Sequence, residues 1–157
     1  MINKKGILKN VLLLTLTGGL AFWLANFAIS RTAIAADYRA AMSISYYPML
    51  LESLIGGLII GLWVSFLLLR FYCQTPGKDP IIKSVLLSFL VLVIVTISIG
   101  NPSTYKQTSD VSRYFLIGTV FNVIRITALG IAIGYVCKRQ QREVKSTAIV
   151  ASPAGLK

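Results

Sequence analysis

Four runs of apolar residues, at about positions 10–29, 48–70, 81–99 and 114–136, decide what this chain can become. Each approaches the ~20 residues that an α-helix needs to cross the ~30 Å hydrocarbon core of a bilayer. Only 13% of the 157 residues are charged and 55% are hydrophobic, too little charge to coat a water-soluble domain of this size. In lipid every backbone N–H and C=O must bond within its own segment, which leaves helices as the solution for such runs. The expected fold is therefore all-α, an integral membrane four-helix bundle forming a single domain over residues 1–137. Residues 138–157 read as a basic cytoplasmic tail without fixed structure.

The punctuation between the runs agrees. Pro48 suits a first helical turn, where its missing N–H has no intrahelical partner to lose. Pro76-Gly77 reads as a tight turn, with Asp79 as the N-cap and Pro80 as the first residue of the third helix. So short a connection makes the second and third helices antiparallel neighbours. Gly100-Asn101-Pro102 stops the third run, and Asp110 is placed to cap the fourth. Between the first and second runs, Ile34, Tyr38, Ala41 and Met42 would share one side of a short interfacial helix, turning Asp37 and Arg39 to water; a plain loop fits equally well. Ala33-Ile34-Ala35 matches the small-residue pattern of a signal-peptidase site. The run before it exceeds the ~7–15 residues of a signal sequence, however, and Arg31 intervenes, so it is read as a retained helix.

Orientation follows from the cations. Lys4, Lys5, Lys9, Arg70, Lys78, Lys83, Lys138, Arg139, Arg142, Lys145 and Lys157 all fall on one side of the four-span arrangement. Arg31, Arg39, Lys106 and Arg113 fall on the other. Positive charge is retained in the cytoplasm, so both termini are expected there, in a multi-pass protein of the cell membrane. Tyr46, Tyr47 and Tyr114 then fit an outer aromatic belt, and Tyr72 and Tyr135 an inner one. The net charge of +11 does not indicate nucleic acid. Its clustering beside apolar runs fits anionic inner-leaflet lipid, chiefly through Lys138, Arg139, Arg142 and Lys145.

The chemistry-bearing residues are those that interrupt the runs. Arg125 stands near the middle of the fourth, where a charge costs at least ~2.5–3.5 kcal/mol and needs a partner. At ~1.5 Å per residue its Cα lies ~20 Å above the inner boundary, with Asn122 at ~24 Å, Asn26 at ~26 Å and Glu52 at ~27 Å. Glu52 is the only acidic residue within a run, which makes it the expected counter-ion of Arg125. Asn122 and Arg125 share a helix face at i and i+3. Together these residues outline an outer-half polar pocket, with Thr96 or Ser98 available to close it. Gly57-x-x-x-Gly61, Gly130-x-x-x-Gly134 and Gly18-Gly19 mark faces for close helix packing, within the chain or with a second copy or another membrane protein.

Catalysis is not expected. The chain has no histidine, no CxxC pair and no second intramembrane carboxylate, and Cys73 and Cys137 lie too far apart in sequence to form a metal-ligand spacing. Both cysteines are expected as reduced thiols, and no cofactor or metal is implied. Two readings remain: a pocket that binds or passes an anion, lipid headgroup or small solute, and a scaffold or accessory subunit in which Arg125 and Glu52 serve only to fix two helices.

Overall fold

The structure, a computed structural model, describes residues 4–71, 79–99 and 110–151. They form five helices and, among the described residues, no strand: α1 (Lys4–Ser30), α2 (Ala33–Ala41), α3 (Tyr46–Arg70), α4 (Pro80–Ile99) and α5 (Val111–Ala151). The turns expected at Pro76-Gly77 and at Gly100–Pro102 lie outside the described residues.

Three of these helices contain segments long and apolar enough to cross a membrane: Leu8–Ser30, Tyr46–Arg70 and Ser112–Glu143. Helix α4 is apolar over Pro80–Ile94, and the side chains of Thr96 and Ser98 lie outside the described residues. Pro48 sits in the first turn of α3 and Pro80 opens α4, with Lys83 N–H donating to the Asp79 carbonyl at 3.2 Å. Tyr114 N–H donates in the same way to the Asp110 carbonyl at 3.2 Å.

The core lies where α1, α3, α4 and α5 meet, on the fully buried side chains of Leu14, Val64, Leu68, Ile126, Leu129 and Ile133. Glycine brings the backbones together. A Cβ on Gly61 would stand 3.1 Å from the Thr15 carbonyl oxygen, and one on Gly57 3.1 Å from that of Gly19, so α3 lies on the backbone of α1. A Cβ on Gly130 would stand 2.8 Å from the Val85 Cα, and one on Gly134 would overlap Ile81, which seats α5 on α4. Gly18 faces Ile133 and Leu129 across the contact of α1 with α5. Both G-x-x-x-G faces are thus occupied inside the chain. Away from these contacts the surface is apolar: Leu12, Leu16, Leu20 and Leu24 of α1 and Leu51, Ile55, Ile59, Leu62, Trp63 and Phe66 of α3 are all exposed. Faces this wide and apolar suit hydrocarbon rather than water.

One open choice closes and one local expectation needs correction. Of the two readings of residues 31–47, the structure has the short helix. Thr32 caps α2, its Oγ1 accepting from Ala35 N–H at 3.3 Å, and Ser43, at φ 52°, turns the chain into α3. The fourth helix does not end near Val136, nor is the segment after it free of structure: α5 continues to Ala151. Residues 137–151 contain no glycine or proline to break it, and Lys, Arg, Gln and Glu are good helix formers. Arg139 and Glu143 add an i,i+4 ion pair at 3.1 Å.

Candidate functional site

Helix α2 docks against the end of α1 and the first turns of α5 through a small cluster of Ile29, Ala35 and Phe121, with Tyr38 and Ile117 beside it. Tyr38 is wedged between two aromatic rings, 6.2 Å from Tyr114 and 5.9 Å edge-on to Phe121. Gly118 makes the room, since a Cβ there would stand 3.0 Å from the Tyr38 Oη. Below this contact lies a cavity of ≈ 260 Å³, with Asn26, Ser30, Tyr38, Arg39, Asn122 and Arg125 as its polar lining.

Arg125 is half-buried in its wall. Its Nη1 donates to Asn122 Oδ1 at 3.4 Å, one turn back on α5, and its guanidinium lies 6.0 Å from the centre of the Phe121 ring. Its Nε is buried with no protein partner. Across the cavity Asn26 is 1% exposed, and neither its Oδ1 nor its Nδ2 has a protein partner. Buried polar groups are almost always hydrogen-bonded, so three such atoms on one cavity require explanation. Asn26 is held there because it lies on the inward stripe of α1 with Phe22, Ile29 and Ser30.

Arg39 forms the other charged wall. It was expected in water beside Asp37, yet it is half-buried, its Nη1 donating to the Ser30 carbonyl at 3.0 Å and its guanidinium 5.2 Å from the Tyr46 ring centre. Asp37 is exposed. Arg39, Tyr38 and Ser30 are the site residues that the sequence reading passed over. An arginine within a few residues of Tyr38, Tyr46 and Tyr47 was the available signal, because guanidinium groups settle on aromatic faces.

The cavity thus unites three of the four expected residues, Arg125, Asn122 and Asn26. Glu52 is not among them. It is exposed on α3, and no ion pair joins it to Arg125. Depth along a helix leaves rotation about its axis open, and rotation decides the matter here. The buried stripe of α3 runs through Gly57, Gly61, Val64, Ser65 and Leu68. Carried back at ~100° per residue it passes through Ser53, which leaves Glu52 to the side with the exposed Leu51 and Ile55. Moreover, α3 packs chiefly on α1 and α4 rather than on α5. Among the described residues no carboxylate lines the cavity.

At the other end of α5, Lys138, Arg139 and Arg142 line a hollow of ≈ 220 Å³ with Ile81 and Tyr135. Lys138 Nζ donates there to Asp79 at 3.0 Å. The side chain of Lys145 lies outside the described residues. Among the described residues no group of His, Cys, Asp or Glu is arranged to hold a metal ion. Comparison with protein-family models, with curated proteins and with solved structures finds no match for this chain.

Proposed function

We propose that the chain is a four-span protein of the cell membrane, a four-helix bundle with both termini in the cytoplasm, and that it binds a small anionic group in the cavity beneath α2. The observation that carries this reading is the composition of the wall: two guanidinium groups and a buried, unpartnered carboxamide, with no carboxylate to neutralise them. Buried positive charge without an internal counter-ion calls for one from outside. On the cation count α2 belongs at the outer surface, so the cavity lies in the outer half of the bilayer and receives a free anion or a lipid headgroup from that side. The role is binding or passage rather than catalysis, since among the described residues no activated nucleophile or general base stands beside Arg125. At the opposite end Lys138, Arg139, Arg142 and Lys145 rest on the anionic inner leaflet, at ~1 kcal/mol per cation.

The test is a thermal unfolding titration of the detergent-purified protein with inorganic phosphate against chloride at equal ionic strength. Binding to the folded state adds ~2.7 kcal/mol at a hundred times Kd, so phosphate should raise Tm in a saturable manner. Arg125→Gln should abolish that rise, measured against the variant's own Tm in chloride. A response to phosphate no different from that to chloride, or one that survives Arg125→Gln in full, removes the reading.

A further inference from the structure

We infer that the group held in this cavity is an oxyanion that also carries a hydrogen-bond donor, a hydroxyl or N–H close to its phosphate or carboxylate. The inference rests on the anion-binding reading and goes further, because a plain anion would leave the site half satisfied.

The reasoning turns on Asn26. Its carboxamide presents one acceptor and one donor group, and both are buried on the cavity without a protein partner. A fully deprotonated anion offers acceptors only. It can take the Asn26 N–H and the buried Nε–H of Arg125, but it confronts the amide oxygen with lone pairs of its own. Exchanging the oxygen and nitrogen of the amide alters nothing, since both positions are vacant of partners. No protein donor reaches that oxygen in the structure. The Ser30 hydroxyl donates to the Phe27 carbonyl at 2.6 Å, Arg39 Nη1 to the Ser30 carbonyl at 3.0 Å and Arg125 Nη1 to Asn122 at 3.4 Å. The missing donor must therefore arrive with the ligand or as water. At ≈ 260 Å³ the cavity falls below the ~300–1,000 Å³ of sites for drug-sized molecules and suits a headgroup-sized one. A glycerophosphate is one member of the class: its phosphate oxygens would meet the guanidinium groups and its hydroxyl the Asn26 oxygen. The same chemistry is found in a free hydroxylated phosphate and in the headgroup of a phospholipid whose phosphate bears glycerol.

Two matched pairs of probes separate these sources and isolate the hydroxyl. The first is glycerol 3-phosphate against methyl phosphate at pH 8.5, where both monoesters are dianions and neither keeps a P–OH. Each is titrated into the full-length protein in maltoside detergent and read by thermal shift. The second is phosphatidylglycerol against phosphatidylmethanol, both singly charged, compared by retention in native mass spectrometry. The hydroxylated member should bind about tenfold more tightly in at least one pair, the worth of one buried hydrogen bond. A preference confined to the lipid pair identifies a headgroup; one confined to the soluble pair identifies a free solute. Asn26→Leu should bring the two members of the preferred pair to within about twofold of each other, and Asn26→Ala serves if the leucine variant does not fold. Equal binding of both members in both pairs overturns this inference and leaves the anion reading standing. Failure of all four probes to bind the folded protein overturns both.

Discussion

Replacing Asn26 by leucine should make the protein more stable and less able to bind. Two buried groups of this side chain have no protein partner, and one unsatisfied buried polar group typically costs ~1–3 kcal/mol. Leucine removes both, although within a membrane reference state the gain belongs toward the lower end, since polar contacts there average only ~0.6 kcal/mol. Leucine is also the bulkier residue, and overpacking a tight interior costs ~1–3 kcal/mol. Here Asn26 borders a cavity of ≈ 260 Å³, which accepts the added methyl groups, so the polar term wins. A net gain of ~1–2 kcal/mol corresponds to a rise in Tm of roughly 2–8 °C for a chain of this size. The assay is thermal unfolding in detergent without added anion, followed by the fluorescence of Trp23 and Trp63. Under the same conditions phosphate should stabilise the variant less than it stabilises the wild type. A fall in Tm of several degrees would refute the reasoning, because it would mean that Asn26 is already satisfied and holds the helices together.

Three further outcomes follow from the packing and the topology. Gly134→Ala forces a methyl group onto the Ile81 backbone and should lower stability by ~1–3 kcal/mol, whereas a Cβ on Gly56 meets nothing within 4 Å, so Gly56→Ala should raise it by ~0.5–1 kcal/mol; thermal unfolding of the two variants checks the contrast. Because Glu52 is exposed and does not pair with Arg125, the effects of Glu52→Leu and Arg125→Leu should add to within ~0.5 kcal/mol in the double variant, and a recovery of stability in that variant would restore the ion pair. In a background lacking Cys73 and Cys137, a cysteine at Asp37 should react with an impermeant thiol reagent on intact cells and one at Glu143 only after permeabilisation; the reverse pattern would invert the topology.

What could be read from the sequence, and what could not, divides along the helix axis. Position along the axis is encoded by counting: Asn26, Asn122 and Arg125 interrupt apolar runs at matching heights, and all three line one cavity. Position around the axis is encoded by contrast between faces, and a helix that is apolar on every side offers none. Counting along the axis could therefore not show that Glu52 faces away from the cavity. The glycines supply the missing contrast on α3, since Gly57 and Gly61 mark the stripe that meets α1, and Glu52 lies off that stripe. Helix α2 was harder. Its nine residues are weakly patterned, and what fixes it is tertiary: Tyr38 between two rings, and Arg39 on a carbonyl and a third. The basic segment after Val136 was misread because charge was taken for absence of structure, whereas Lys, Arg, Gln and Glu extend a helix that is already nucleated.

The unbroken length of α5 has a mechanical consequence. At ~1.5 Å per residue its 41 residues make a rod about 60 Å long, and Gly130 and Gly134 pin that rod to α4 partway along. Arg125 lies on one side of the pin and Arg142 on the other, roughly 10 Å and 15 Å away on the same rise. The same rod is held along its length as well, on α1 through Leu129 and Ile133 against Gly18 and on α2 through Tyr114 and Phe121 against Tyr38, so the cavity arginine and the far cations stand on one braced helix about 25 Å apart along its axis.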